Sequence, residues 1–365
     1  MSLTGCSSAG TGTVPTDTAI TETADNAAAE TADTAAADQG SAGVKGTGEQ
    51  LVIYSNSVSD GRGDWLKERA LQDGFKIEYV DAGGGDIQNR LVAEKNSPVA
   101  DVVFGLNNMY FENLKSQDLL EKYIPSWAGE TETGISDKDD YFHATVKQYI
   151  FLIYNSDKYT PETAPEDWPD LWEKEELHGI YQLPDGLGGA SIQTILAGIL
   201  VRYQDPNGEL GVSEDGWKAM EQFFKYSTKL ATGEDLYAKL ASGESPITLM
   251  WSSGIAAREE QYGIKAGIVN PEIGIPTIFE QVGIVKGSKK LDEAKRFVDW
   301  FGSVEIQGEW SKQFSTIPVN KGAMDQVSEE NKQMNDTYKT QDIDWSFVAK
   351  YMNDWVEKIE LDYAK

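Results

Sequence analysis

Residues 51–105, LVIYSNSVSDGRGDWLKERALQDGFKIEYVDAGGGDIQNRLVAEKNSPVADVVFG, decide the fold. Leu51-Val52-Ile53-Tyr54 is a short run of β-branched, aliphatic and aromatic side chains that stops at Ser55-Asn56-Ser57. That is the pattern of a buried strand running into a polar loop. Residues 65–71 have helical spacing, and residues 76–80 (KIEYV) alternate as a second strand. After Gly83-Gly84-Gly85 a helix is predicted over 87–95, with Asp86 as its N-cap. Residues 101–104 (DVVF) read as a third buried strand, closed by Gly105-Leu106-Asn107-Asn108. Strand, helix, strand, helix, strand predicts an α/β fold with parallel strands.

Working outward, residues 148–155 (QYIFLIYN) form a long apolar run, expected to be a strand crossing between two bodies. Pro161, Pro165 and Pro169 mark a loop. Residues 180–183 read as a strand, and Pro184 to Ser191 leads into a helix over 192–201. Helices are predicted over 215–230 and 236–242, then a strand over 246–250 that ends in Trp251-Ser252-Ser253. A strand over 281–285 precedes an amphipathic helix with Leu291, Ala294, Phe297, Val298 and Phe301 on one face. Trp345, Phe347, Tyr351, Trp355 and Ile359 give the C-terminal part a second such face. Upstream, residues 7–50 hold almost no large apolar side chain. TDTAITETADNAAAETADTAAADQGSAG is acidic and of low complexity, so residues 1–50 are expected to be disordered.

Composition narrows the function classes. A formal net charge of -28 opposes a nucleic-acid partner, because phosphate binding needs a basic surface. No run of eighteen apolar residues is present to span a membrane. The single cysteine, Cys6, cannot make an internal disulfide, and with only His143 and His178 a zinc site lacks ligands. There is no G-x-S-x-G, no P-loop and no G-x-G-x-x-G after a strand. The chain therefore reads as a non-enzyme that needs no cofactor, with a carboxylate-pair hydrolase as the runner-up class.

What recurs is a means of holding something small. Four predicted strands end in short polar or glycine-containing segments: Ser55-Asn56-Ser57, Gly105 to Asn108, Gly188-Gly189-Ala190-Ser191 and Trp251-Ser252-Ser253. In open α/β sheets ligands sit beyond the carboxyl ends of strands, and a following helix N-terminus favours negative charge. The candidate ligand-binding residues are Ser55, Asn56, Ser57, Gly84, Asn107 and Asn108 from the first part of the chain. From the middle come Tyr149, Gly189, Ala190, Ser191, Trp251, Ser252 and Ser253, and after them Gln281.

Three blocks carry a resemblance: Leu51 to Ser55, Asp81-Ala-Gly-Gly-Gly-Asp-Ile-Gln-Asn-Arg-Leu91, and Glu94-Lys-Asn-Ser-Pro-Val-Ala-Asp-Val-Val-Phe-Gly105. Together they resemble the bacterial extracellular solute-binding proteins of family 1, in the branch that binds ferric iron, thiamine, phosphonates and sugar phosphates. Later blocks fit: Ile153-Tyr-Asn155, Trp168-Pro-Asp-Leu-Trp172, His178-Gly179, and Val282-Gly-Ile-Val-Lys-Gly287 leading to Glu293-Ala-Lys-Arg-Phe297. The resemblance implies a two-lobed periplasmic-binding-protein type II fold, each lobe a mixed, mostly parallel sheet flanked by helices. Lobe one would comprise 51–148 and 275–365, lobe two 149–274, closing on a solute delivered to the permease of an ABC importer. Leu3-Thr4-Gly5-Cys6 is similar to a bacterial lipobox. With it, residues 1–50 read as a tether lipidated at Cys6, the signal peptide already removed. A monomer at the extracellular face of the cell membrane, or in the periplasm, is expected.

For the solute the Asp81–Leu91 block favours a phosphonate or phosphate ester. Ferric-binding members use adjacent tyrosines after the lobe-two strand, where Trp251 to Tyr262 has no Tyr pair, which disfavours iron. Thiamine or a polyamine stays open, since Trp65, Tyr149 and Trp251 could stack on a cation.

Overall fold

The computed structural model describes residues 43–231 and 233–364. Cys6 and the tether reading of residues 1–42 lie outside them. The first part of the chain gives β1 (Gln50–Ser55), α1 (Arg62–Gln72), β2 (Lys76–Asp81), α2 (Gly84–Ala93), β3 (Val102–Phe104), α3 (Asn108–Ser116) and β4 (Leu120–Glu121). β1 lies between β2 and β3, parallel to both. Its alternation sends Leu51 and Ile53 to one face, with Leu66 and Ala70 of α1, and Tyr54 to the other, with Ile87 and Leu91 of α2.

α2 starts earlier than the sequence predicts. Its N-cap is Gly83, and Asp86 sits inside the first turn. The reason is close approach: a Cβ at Gly84 would lie 2.6 Å from a ring carbon of Tyr110. The bare glycine lets the chain enter the helix against that ring, and Asp86 still faces the positive end of the helix dipole.

β5 (His143–Asn155) is buried at all thirteen residues and belongs to both halves of the molecule. Beyond it come α4 (Asp170–Glu173), β6 (Tyr181–Leu183), α5 (Ala190–Leu200), β7 (Gln204–Glu209), α6 (Glu214–Lys225) and β8 (Thr228–Lys229). α7 (Leu236–Ser242), β9 (Ile247–Trp251), α8 (Ser252–Tyr262) and β10 (Ala266–Ile268) complete the second lobe. The chain then returns along β11 (Thr277–Val285). The order across the sheets is β2-β1-β3-β11-β5-β9-β6-β8. The first half of β5 pairs with β11 and the second half with β9 and β10, all antiparallel. The outer strands β1, β2 and β3 of lobe one, and β6, β8 and β9 of lobe two, pair in parallel. The sheet is thus parallel among the outer strands and antiparallel around β5 and β11, with β3, β4 and β9 also pairing antiparallel to them.

α9 (Leu291–Phe301), α10 (Val304–Phe314), β12 (Ile317–Pro318), α11 (Glu329–Thr337) and α12 (Trp345–Asp362) end the chain. α9 buries Phe297, Val298 and Phe301 against β1 and β3, as its spacing predicts. A third crossing follows α11. Ile275 donates to Lys339 O (2.7 Å), Gln341 N donates to Ile275 O (2.9 Å), and Gln341 Nε2 donates to Gly198 O (2.7 Å). α12, which the sequence reading gives to lobe one, rests on α3 of lobe one and on α5 and α6 of lobe two. Its Trp355 is fully buried and donates Nε1–H to Leu210 O (3.0 Å).

Residues 43–49, which the sequence places in the tether, lie along lobe one. Gly46 N donates to Asp73 O (2.9 Å), and Thr47 donates its amide (2.9 Å) and hydroxyl (3.0 Å) to the Glu293 carboxylate. Glu293 is only 2% exposed, so these donors stabilise a buried charge. A chain starting at Gln50 should therefore be less stable than one starting at Gly43 by about 1–3 kcal/mol, read as a lower urea midpoint. Equal midpoints would show that these contacts do not tie the segment down.

Candidate functional site

The ends of β1, β3 and β9, the N-terminus of α5 and the middle of the crossing strands converge on one cavity of about 160 Å³. That is room for one small solute. Asn56, Ser57, Asn107, Ala190, Ser191 and Trp251, all from the predicted strand-end segments, line it. Arg62, Gly105, Gln148, Ile150, Ile278 and Glu280 line it too; of these Gly105 stands in a strand-end segment and Gln148 and Ile150 in the expected crossing strand.

The remaining candidates do not line it. Ser55 is buried at the end of β1, where its Oγ accepts from Ser57 N (3.0 Å) and shapes the loop. Gly189 is the N-cap of α5, and Ser252 begins α8. Gly84 lies against Tyr110, and Asn108 donates to Ile135 O (3.3 Å). Tyr149 and Gln281 are on the opposite face of the crossing strands. The Tyr149 hydroxyl donates to Tyr338 O (2.8 Å), and Gln281 Nε2 donates to Ile135 O (3.0 Å). Their neighbours Gln148, Ile150 and Glu280 face the cavity instead, because adjacent side chains on a strand point to opposite faces.

Hydrogen bonds organise the wall. Ser57 Oγ donates to Glu280 Oε2 (2.8 Å), and Gln148 Nε2 donates to Glu280 Oε1 (3.1 Å). Ser253 Oγ in turn donates to Gln148 Oε1 (2.9 Å), and Arg62 Nη1 reaches Ser57 Oγ at 3.5 Å. The chain runs from lobe one (Arg62, Ser57) through both crossing strands (Glu280, Gln148) to lobe two (Ser253). Every donor in it points toward one carboxylate. Burial raises the Glu280 pKa above the ordinary carboxylate value. The positive charge of Arg62 and the hydrogen bonds from Gln148 and Ser57 oppose that rise.

The helices meeting the cavity carry positive ends. α6 and α7 are capped by the side chains of Ser213 and Asp235, but α5 and α8 have no side-chain cap. Their first amide groups are available to a ligand. Asn107 Oδ1 caps α3 by accepting from Tyr110 N (3.2 Å), which leaves its amide nitrogen as a donor. Neither histidine lines the cavity. His143 pairs with Tyr123 O (2.7 Å), and His178 stacks on Tyr226.

A cleft between two α/β lobes joined by antiparallel crossing strands, lined by helix N-termini and hydroxyls, defines a two-lobed solute-binding protein. The family model for bacterial extracellular solute-binding proteins matches residues 67–340, and the chain belongs to that family. It is 33% identical to a probable ABC transporter periplasmic-binding protein of Sinorhizobium fredii, over 86% of each chain. It is 23% identical to a putative 2-aminoethylphosphonate-binding periplasmic protein of Salmonella typhimurium, over 74% of this chain and 78% of that one. Among solved structures, the ferric binding protein from Campylobacter jejuni superposes with a TM-score of 0.73 at 19% identity. That match covers 85% of this chain and 98% of the other.

Gly105 sets the shape of the cavity. Its φ is +90°, and a Cβ there would lie 2.6 Å from Ser57 Cβ and 2.9 Å from Asn56 Oδ1. Gly105→Ala should push the Asn56–Ser57 loop into the cavity, lower the melting temperature by several degrees and weaken solute binding at least tenfold. Unchanged affinity in calorimetry would mean that this loop does not touch the solute.

Proposed function

We propose that the cavity captures a small anionic or zwitterionic solute, with a phosphonate or phosphate ester as first choice, and hands it without turnover to an ABC permease. The observation that carries this reading is the pair of uncapped helix N-termini, α5 and α8, brought to one cavity together with Arg62. Amides, hydroxyls and one guanidinium solvate an oxyanion by charge-assisted hydrogen bonds, each worth about 1.5–3 kcal/mol. Ser57, Asn107, Ser191 and Ser253 are the proposed side-chain contacts, with the backbone at Gly189 to Ser191. The relative named for 2-aminoethylphosphonate supports the same class.

Ferric iron fits less well, because Fe(III) calls for several anionic oxygens and Glu280 is the one carboxylate in the described lining. Thiamine lacks its expected cage. Trp65 packs edge-on against Trp310 and Phe314, Tyr149 faces away, and the Trp251 ring lies 4.7 Å from the Arg258 guanidinium. Cys6 is the proposed lipid-attachment point that holds a monomeric chain at the extracellular face of the membrane.

Calorimetry tests the reading with 2-aminoethylphosphonate, a sugar phosphate, ferric citrate, thiamine and spermidine. A phosphonate or phosphate ester should bind tightest, and Ser191→Ala should weaken it about tenfold or more. Tight binding to thiamine, spermidine or ferric citrate alone would overturn it.

A further inference from the structure

The cavity wall contains a feature that oxyanion binding does not use. Glu280 is 7% exposed and lies in a strand, TIFEQVGIV, whose other eight side chains are all uncharged. Its carboxylate receives only neutral donors, Ser57 Oγ and Gln148 Nε2. Arg62, the cation at this cavity, touches Ser57 Oγ and the Phe314 ring, and among the described residues it makes no ion pair with Glu280. Asn56, which lines the same cavity, has an Oδ1 without a hydrogen-bond partner among the described residues. A buried carboxylate is costly unless a charge offsets it; neither Ser57 nor Gln148 carries one, and Arg62 acts on it without direct contact, so the wall alone does not call for the charge. A protonated ligand group does require it.

We propose that the solute carries a protonated amine as well as its oxyanion, and that Glu280 and Asn56 Oδ1 receive the amine while the α5 and α8 ends hold the oxyanion. The ligand is then a short chain with an acidic head at one end and an ammonium at the other. The ammonium reaches Glu280 only when the solute is in place, which ties lobe one, the crossing strands and lobe two to the same molecule. This inference rests on the oxyanion reading above and goes one step further.

The test compares two ligands that differ only in the amine, 2-aminoethylphosphonate and ethylphosphonate, titrated into the full chain and into Glu280→Gln. The unsubstituted protein should prefer the aminated ligand at least tenfold. In Glu280→Gln that preference should fall below about threefold. Equal binding of both ligands to the unsubstituted protein would overturn the inference and leave the oxyanion reading standing. So would a Glu280→Gln that weakens both ligands alike, for Glu280 would then only brace Ser57 and Gln148. If neither phosphonate binds, nor orthophosphate nor a sugar phosphate, the oxyanion reading fails and takes the inference with it. The ligand pair on the unsubstituted protein keeps the test decisive even if the variant does not fold.

Discussion

Both lobes share one strand. β5 spans thirteen buried residues, about 40 Å of extended backbone, and pairs with β11 on the lobe-one side and with β9 and β10 on the other. A continuous strand cannot slip in one lobe without turning its side chains over in the other. Its register therefore fixes which residues stand in the cleft. Gln148 and Ile150 face the solute space, and Tyr149 and Phe151 pack behind it with Tyr338. β11 is held to the same phase by its pairing of Ile278 with Gln148. The cleft wall is a consequence of this shared ladder, and the helices on either side bring their N-termini to it.

The electrostatics of the cleft work by geometry more than by formal charge. The chain is strongly acidic overall, yet the cavity is lined by amides, hydroxyls, one guanidinium and a single carboxylate. Salt screens exposed surface charge beyond about 8 Å, so the distant acids matter little once a solute is inside. Within the wall the dielectric is low, and fixed dipoles count for more than they would in water. The hydrogen bonds from Ser253 through Gln148, and from Arg62 through Ser57, polarise toward Glu280. Such a chain joins four segments of the protein that are far apart in sequence.

Much of this was legible before the fold was known. Ser55-Asn56-Ser57, Gly105 to Asn107 and Gly189 to Ser191 were readable because each interrupts an apolar strand just before a helix. That junction has a strong local signature. The phase of the crossing strands was not readable. QYIFLIYN is buried on both faces, so its sequence gives no alternation to show whether Gln148 or Tyr149 meets the cleft. The same ambiguity made Gln281 the candidate and passed over Glu280, although one acid in an otherwise uncharged strand is a signal in itself. Arg62 lies just past a turn and reaches the cavity only because α1 folds back over β1. The position of α12 across both lobes depends on where residues 338–344 cross, which no local pattern in that segment reveals. Residues 43–49 read as tether because they are small and polar, and what holds them is a carboxylate almost 250 positions away.

The proposed solute site lies between the lobes, at the shared strands. Hydrogen exchange of the backbone amides, with and without 2-aminoethylphosphonate, tests it most directly. Protection should rise at residues 56–62, 105–107, 189–192 and 251–254, which come from both lobes and surround one cavity. It should stay unchanged at the groove formed by Asp205, Glu209, Trp217 and Tyr363 on the second lobe and the chain end. Protection confined to that groove, or to one lobe alone, would contradict the account.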